Sequence, residues 1–116
     1  MELIGYSKCS TCKKAKEYLN INNIKYINRE IKENTPTKTE INSLINKYKI
    51  NINKLFNTSG LIYRKLNLKE KLDKMTKDEK IELLSNNAML IKRPLLIDND
   101  IILIGFKESE WEIIKK

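Results

Sequence analysis

Gly5-Tyr6-Ser7-Lys8-Cys9-Ser10-Thr11-Cys12-Lys13-Lys14 contains both cysteines of this 116-residue chain, and its reading decides the fold. Ahead of it, Glu2-Leu3-Ile4-Gly5-Tyr6 reads as a short buried strand. Behind it, Ala15, Tyr18 and Leu19 recur at helical spacing, which predicts a helix from Thr11 to about Asn20 with Ser10 or Thr11 as its cap. Asn22-Asn23 is a turn signal, and Lys25 to Arg29 alternates around Tyr26 and Ile27 as a second strand would. The result is a β-α-β unit with a C-x-x-C at its first strand–helix junction. There the helix supplies unpaired N–H groups and a positive dipole end, both of which favour thiolate over thiol. Lys8, Lys13 and Lys14 add positive charge, so the pattern points to a redox-active thiol. The plain alternative is that both cysteines are inert small hydrophobes.

Outward from this unit, residues 30–90 read as mostly helical. Thr37 followed three residues later by Glu40 is a capping box, and Ile41, Leu44, Ile45 and Tyr48 form the apolar stripe of the helix it opens. Asn51 to Asn57 reads as a connection, Ser59-Gly60 precedes a short helical piece through Leu66, and Thr76 begins a helix through Leu84. Asn57, Thr58 and Ser59 either line a site or cap the next helix. Arg93-Pro94 then leads into the strand Leu95-Leu96-Ile97, Asp98-Asn99-Asp100 turns, and Ile101 to Ile104 returns as the second arm of a hairpin. Lys107 to Ile114 closes the chain as a helix, with Trp111 and Ile114 on its core side. The order β-α-β, helical insertion, β-β-α shows no repeat, no linker and no second domain, so residues 1–116 are expected to form one domain.

Composition narrows the chemistry. Hydrophobic residues make up 41% and charged residues 33% of the chain, as in a soluble globular protein. No apolar stretch approaches the roughly 18 residues needed to span a membrane. Met1 to Gly5 lacks the regions of a secretory signal, so a cytoplasmic protein is expected, where a close cysteine pair suits catalysis or metal binding better than a structural disulfide. With no histidine, Ser-His-Asp and Cys-His catalysis are excluded. The two cysteines also lack the partners of a structural zinc, except as half of a site shared by two subunits, so no metal is expected. The 23 basic against 15 acidic residues give a net charge of +8, suited to anionic substrates or acidic partners. The lysines are dispersed and form no basic, aromatic-interleaved groove, so direct nucleic-acid binding is not expected.

Four stretches carry a family resemblance: Tyr6 to Lys14, Phe56-Asn57-Thr58-Ser59-Gly60-Leu61-Ile62-Tyr63-Arg64 and on to Leu66, Met89 to Ile97 with Leu90-Ile91-Lys92-Arg93-Pro94-Leu95-Leu96, and Gly105 to Trp111. Through them the chain resembles, over essentially its whole length, the arsenate reductase (ArsC)/Spx family of thioredoxin-like proteins. The likeness is greatest to the family's small, poorly characterised arsenate reductase-like bacterial members. The resemblance implies an α/β thioredoxin-like fold, a mixed sheet of about four strands with a helical insertion. It implies that Cys9 is the nucleophile, resolved by Cys12, and that Arg64 and Arg93 bind an oxyanion and stabilise the thiolate. Arginine's fork of donors suits a tetrahedral oxyanion, and its charge lowers a neighbouring thiol pKa. Pro94 falls at a proline that is cis in such folds and faces the active-site cysteine. Lys107 stands where those reductases have a third arginine; it either holds the anion or simply opens the last helix. Ser10 and Thr11 either donate to a bound anion or cap the helix.

Two further differences separate the chain from those reductases: Tyr6-Ser7-Lys8 replaces their His-Asn-Pro, and Cys12 replaces a serine, as in the Spx branch. From Spx regulators it differs in having Arg64 in place of glutamine and in ending five residues after Trp111. The expectation is a cytoplasmic thiol–disulfide oxidoreductase acting on a small anionic or thiol/disulfide substrate. It would carry no bound cofactor, with glutathione/glutaredoxin or thioredoxin as reductant, and would be a monomer. The alternative is an Spx-like redox-sensing regulator that binds RNA polymerase.

Overall fold

A parallel strand pair needs a crossover, and the cysteine-bearing helix supplies it. In a computed structural model, described over residues 1–115, strand β1 (Glu2–Gly5) passes through helix α1 (Ser10–Ile21) to strand β2 (Ile27–Glu30). β1 and β2 pair in parallel, with Leu3 opposite Asn28 and Gly5 opposite Glu30. Asn23, with φ of 56°, makes the left-handed turn after α1 that asparagine tolerates well. β2 starts at Ile27, later than the alternation at Lys25 predicts. It is an edge strand, and Ile27 is 70% exposed there, while Tyr26 packs against the core.

The chain divides into two compact units. Residues 1–31 and 93–115 form the first, and residues 32–92 the second. In the first, strands β3 (Leu95–Ile97) and β4 (Ile102–Ile104) form the expected hairpin, closed by the Asp98 N–H donating to the Ile101 carbonyl at 3.0 Å. β3 pairs antiparallel with β1, giving a four-stranded mixed sheet in the order β2-β1-β3-β4.

The core of this unit gathers Leu3, Ala15, Tyr18, Leu19, Leu96, Trp111 and Ile114, so one face of β1 and β3 packs with α1 and the C-terminal segment. That segment is a short helix, Glu108–Trp111, continued by a 3₁₀ turn over Glu112–Ile114, where periodicity predicts one helix. Trp111, 0% exposed, meets Tyr18 and Phe106 edge-on at centroid distances of 6.1 and 4.9 Å. Its indole N–H donates to the Gly105 carbonyl at 3.1 Å. Gly105 has a φ of 76°, a conformation other L-residues adopt only with strain, and its N–H donates to the Pro94 carbonyl at 2.8 Å.

The second unit is helical: α2 (Lys38–Tyr48), α3 (Leu61–Lys65), α4 (Leu68–Lys71) and α5 (Lys77–Asn86), with 3₁₀ turns at Ile52–Leu55, Leu72–Lys74 and Ala88–Leu90. The C-terminal helix Glu108–Trp111, in the first unit, is α6. α2 has the predicted capping box, Thr37 Oγ1 accepting from the Glu40 N–H at 3.1 Å and Glu40 reaching back at 3.0 Å. α5 opens with a second box between Thr76 and Glu79. α2 packs on α5, and Phe56 bridges Ile91 antiparallel, with the Lys92 N–H donating to the Leu55 carbonyl at 2.7 Å.

Three stability measurements follow from these contacts. Trp111→Ala loses about 3–5 kcal/mol in urea unfolding, as for a large aromatic removed from a packed core. Tyr18→Phe leaves stability unchanged or raises it, because the Tyr18 hydroxyl is buried with no hydrogen-bond partner among the described residues. Thr76→Ala costs about 1 kcal/mol, the usual worth of a cap. The Thr76 backbone and side-chain hydrogen bonds hold the Glu79 carboxyl below its ordinary value. The Glu79 carboxylate's part of the box is therefore present above the ordinary glutamate range and lost as pH falls through its lowered value.

Candidate active site

After Gly5 the chain turns through Tyr6, Ser7 and Lys8 into α1, and Cys9 is the residue at the turn's end. Its backbone is extended, with φ of −90° and ψ of 120°, and its side chain caps the helix. Sγ accepts the Cys12 N–H at 3.4 Å, the carbonyl accepts the Lys13 N–H at 3.1 Å, and the Cys9 N–H donates to the Tyr6 carbonyl at 3.0 Å. Capping therefore falls to Cys9, where Ser10 or Thr11 was expected. A cap serves the amide three residues on, and Ser10 and Thr11 already lie inside the helix. Ser10 is exposed and Thr11 half-buried in that first turn.

Cys12 sits one turn in and is 0% exposed. The Tyr6 N–H donates to its Sγ at 3.5 Å. A Cβ added at Gly5 would lie 3.1 Å from Cys12 Sγ, 3.3 Å from its Cβ and 4.0 Å from Pro94 Cβ. A side chain at the end of β1 would crowd the first turn of the helix, which a glycine leaves free to lie this close to the strand.

Pro94 is buried, and the Arg93–Pro94 peptide bond is cis. Arg93, half-buried, lies over the Tyr6 ring with Cζ 5.7 Å from the centroid. Cys9, Cys12, Tyr6, Arg93 and Pro94 thus come together around the start of α1. Lys107 is exposed at the N-terminal boundary of α6. Arg64 is exposed on α3, in the second unit. Among the described residues no group of three or more His, Cys, Asp or Glu could hold a metal ion.

The two thiols are driven apart electrostatically. Partial burial pushes Cys9 up. The hydrogen bonds it receives from the Cys12 thiol and backbone, together with the charge and hydrogen bond of Arg93, outweigh this and bring it below the ordinary cysteine value. Burial pushes the Cys12 thiol up to about 11, with the Tyr6 N–H and Arg93 opposing and the hydrogen bond and charge of Cys9 reinforcing. A half-exposed thiol with a lowered pKa beside a buried one that keeps its proton is the more reactive of the two.

Sequence reasoning missed three contributors. Gly5 carried no signal until Cys12 was seen against it. Glu30, at the end of β2, accepts the Ser7 N–H with both carboxylate oxygens, at 3.1 and 3.2 Å, and pins the turn from 23 residues away. Tyr6 was legible as the end of a strand and the start of the cysteine motif, with no signal that its ring meets Arg93. Iodoacetamide at neutral pH is expected to label Cys9 and spare Cys12, read by peptide mass spectrometry of the native protein. Stability should decline as pH rises from the ordinary ~8.5 of an unfolded thiol through the Cys12 value of about 11, because the folded state holds the Cys12 proton longer. Cys12→Ala should flatten that part of the profile.

The chain is 47% identical over 107 residues to the uncharacterised protein YusI of Bacillus subtilis, covering 92% of this chain and 91% of YusI. It is 30% identical over 106 residues to the regulatory protein MgsR of the same organism, covering 91% and 82%. A crystal structure of an ArsC family related protein from Bacteroides fragilis superposes with a TM-score of 0.93 at 45% identity, over 98% of this chain and 96% of that one. A possible arsenate reductase from Streptococcus mutans superposes with a TM-score of 0.85 at 38% identity, over 96% of each chain. The fold is thioredoxin-like, as its structural neighbours are. The ArsC family profile matches residues 4–114, and the chain belongs to the ArsC family.

Proposed function

We propose that this protein is a cytoplasmic thiol–disulfide oxidoreductase of the arsenate reductase-like type, with Cys9 as nucleophile and Cys12 as resolving thiol. The observation that carries the reading is the Cys9 sulfur at the cap of α1, with Arg93 lowering its pKa and Cys12 one turn behind it. Cys9 thiolate attacks one sulfur of a disulfide R–S–S–R′. A bond forms between Cys9 and that sulfur, the S–S bond breaks, and R′S⁻ leaves with the electron pair.

The mixed disulfide on Cys9 carries no charge. Two causes that hold the Cys12 proton, the Cys9 charge and the Cys9 hydrogen bond, then disappear, while the Tyr6 N–H and Arg93 still favour the Cys12 thiolate. Cys12 gives up its proton to solvent and attacks Cys9 Sγ, closing the Cys9–Cys12 disulfide and releasing RS⁻. Two electrons have passed to the substrate. A dithiol of the glutaredoxin or thioredoxin class, or two molecules of glutathione, returns them. Glutathione, an anionic thiol, also suits the net charge of +8 as a substrate component. Arg64 and Lys107, with Ser10 and Thr11, enter the proposal as anion-holding residues through the family resemblance, and Pro94 as the residue flanking the cysteines.

The 30% identity to MgsR favours a second reading, a redox-sensing regulator that contacts RNA polymerase and uses Cys9–Cys12 as its switch. Pull-down of polymerase by the oxidised or the reduced protein would support it, and an oxidoreductase should hold polymerase in neither state.

The deciding experiment is the alkylation rate of Cys9 against pH. The wild type should show a midpoint below ~8.5, and Arg93→Ala should raise it. With a glutathione mixed disulfide as substrate, Cys9→Ser should abolish reduction and Cys12→Ser should accumulate the mixed disulfide on Cys9. An unshifted midpoint that Arg93→Ala does not move would sink the oxidoreductase reading.

A further inference from the structure

Tyr6 touches both cysteines and Arg93. Its carbonyl accepts the Cys9 N–H at 3.0 Å, its N–H donates to Cys12 Sγ at 3.5 Å, and its ring lies under Arg93 with Cζ 5.7 Å from the centroid. The two backbone bonds would be made by any residue except proline, so they do not select tyrosine. The ring contact does. A guanidinium over an aromatic face is attracted by the ring quadrupole, and the attraction grows when both groups are drawn out of water. Tyr6 and Arg93 are each half-buried.

We propose that Tyr6 is a positioning residue whose ring holds the Arg93 guanidinium beside Cys9, and so sets how much of Cys9 is thiolate. Arg93 lies on the segment ahead of β3, while Tyr6 and Cys9 lie on the turn between β1 and α1, and the Arg93 charge and hydrogen bond act on Cys9. A long, flexible arginine meets the sulfur only as often as its side chain is held there, and the ring lowers the entropy cost of holding it. The groups that act on Cys9 are Cys12, from α1, and Arg93. Glu30, from β2, is engaged by the Ser7 N–H, and Lys8, on the turn itself, is exposed. Arg93 is thus the one cation among the groups that lower the Cys9 pKa, and a residue that helps to hold Arg93 bears on that effect.

The inference rests on Cys9 being the activated thiol proposed above, and the experiment separates the two. Alkylation midpoints are measured on the intact protein for the wild type, Tyr6→Phe, Tyr6→Leu, Arg93→Ala and the double variant Tyr6→Leu/Arg93→Ala. Tyr6→Phe, which keeps the aromatic face, should hold the wild-type midpoint. Tyr6→Leu should raise it by about half a pH unit, the shift equivalent to one exposed to partly buried cation–π contact. In the Arg93→Ala background the same change should add nothing. Pentafluorophenylalanine at position 6 keeps the ring's shape and reverses its quadrupole. It should also raise the midpoint, which keeps the test decisive if Tyr6→Leu folds poorly. A midpoint that moves with Arg93→Ala but not with Tyr6→Leu or the fluorinated ring overturns the role of Tyr6 and leaves the activated thiol standing. So does a Tyr6→Leu shift that persists without Arg93, which would mark a general loosening of the turn. A wild-type midpoint at the value of a free thiol overturns both.

Discussion

The bond from the Cys12 N–H to Cys9 Sγ, at 3.4 Å, joins two needs that arise separately in the chain. A helix starts with amides that have no internal partner, and a nucleophilic sulfur needs donors that favour its charged form. Placing the sulfur at the cap meets both at once. The same position exposes Cys9 at the end of a turn, and the turn is held by the Cys9 N–H to Tyr6 and by Ser7 to Glu30. If the turn moved, the cap would open and the donors would be lost together.

The division of labour between the two sulfurs is a matter of depth along one helical turn. Two residues separate them, yet Cys12 is 0% exposed and its thiol is raised to about 11, while that of Cys9 is lowered. Burial acts on both in the same direction. What distinguishes them is that the donors outweigh burial at Cys9 and fail to at Cys12. Gly5 makes this possible by letting the first turn of α1 come within a Cβ's width of β1. The side-chain-free position is therefore part of the packing around Cys12, because a Cβ there would crowd its sulfur at 3.1 Å.

Much of this was legible along the chain because the signals are local. Thr37 and Glu40 sit three residues apart in sequence and bond to each other in the structure, so the start of α2 could be read directly. The strand Leu95–Ile97, the turn at Asp98 and the return strand are likewise short-range features. The boundaries that slipped were those set by packing. β2 begins only where β1 offers a partner, and the C-terminal helix shortens to one turn before tightening, where Trp111 and Ile114 must both reach the core. The cap of α1 slipped for a different reason: serine and threonine are common caps and cysteine is not, so the choice depended on which residue the turn left outside the helix.

By itself the sequence determined the β-α-β frame, the capped helices and the placing of both cysteines at one strand–helix junction, because spacing and turn chemistry act within a few residues. The family followed from motifs of the same short range. The order of the two thiols, Cys9 ahead of Cys12, was already expected along the chain; only the tertiary structure decided the groups that shift them, since those are burial and Arg93, which lies 84 positions beyond Cys9 in the chain. The same is true of Glu30 on the Ser7 amide, of Gly5 against Cys12 and of the Tyr6 ring under Arg93. Electrostatic environment is a property of what folding brings within a few ångströms, and no pattern along the chain records it.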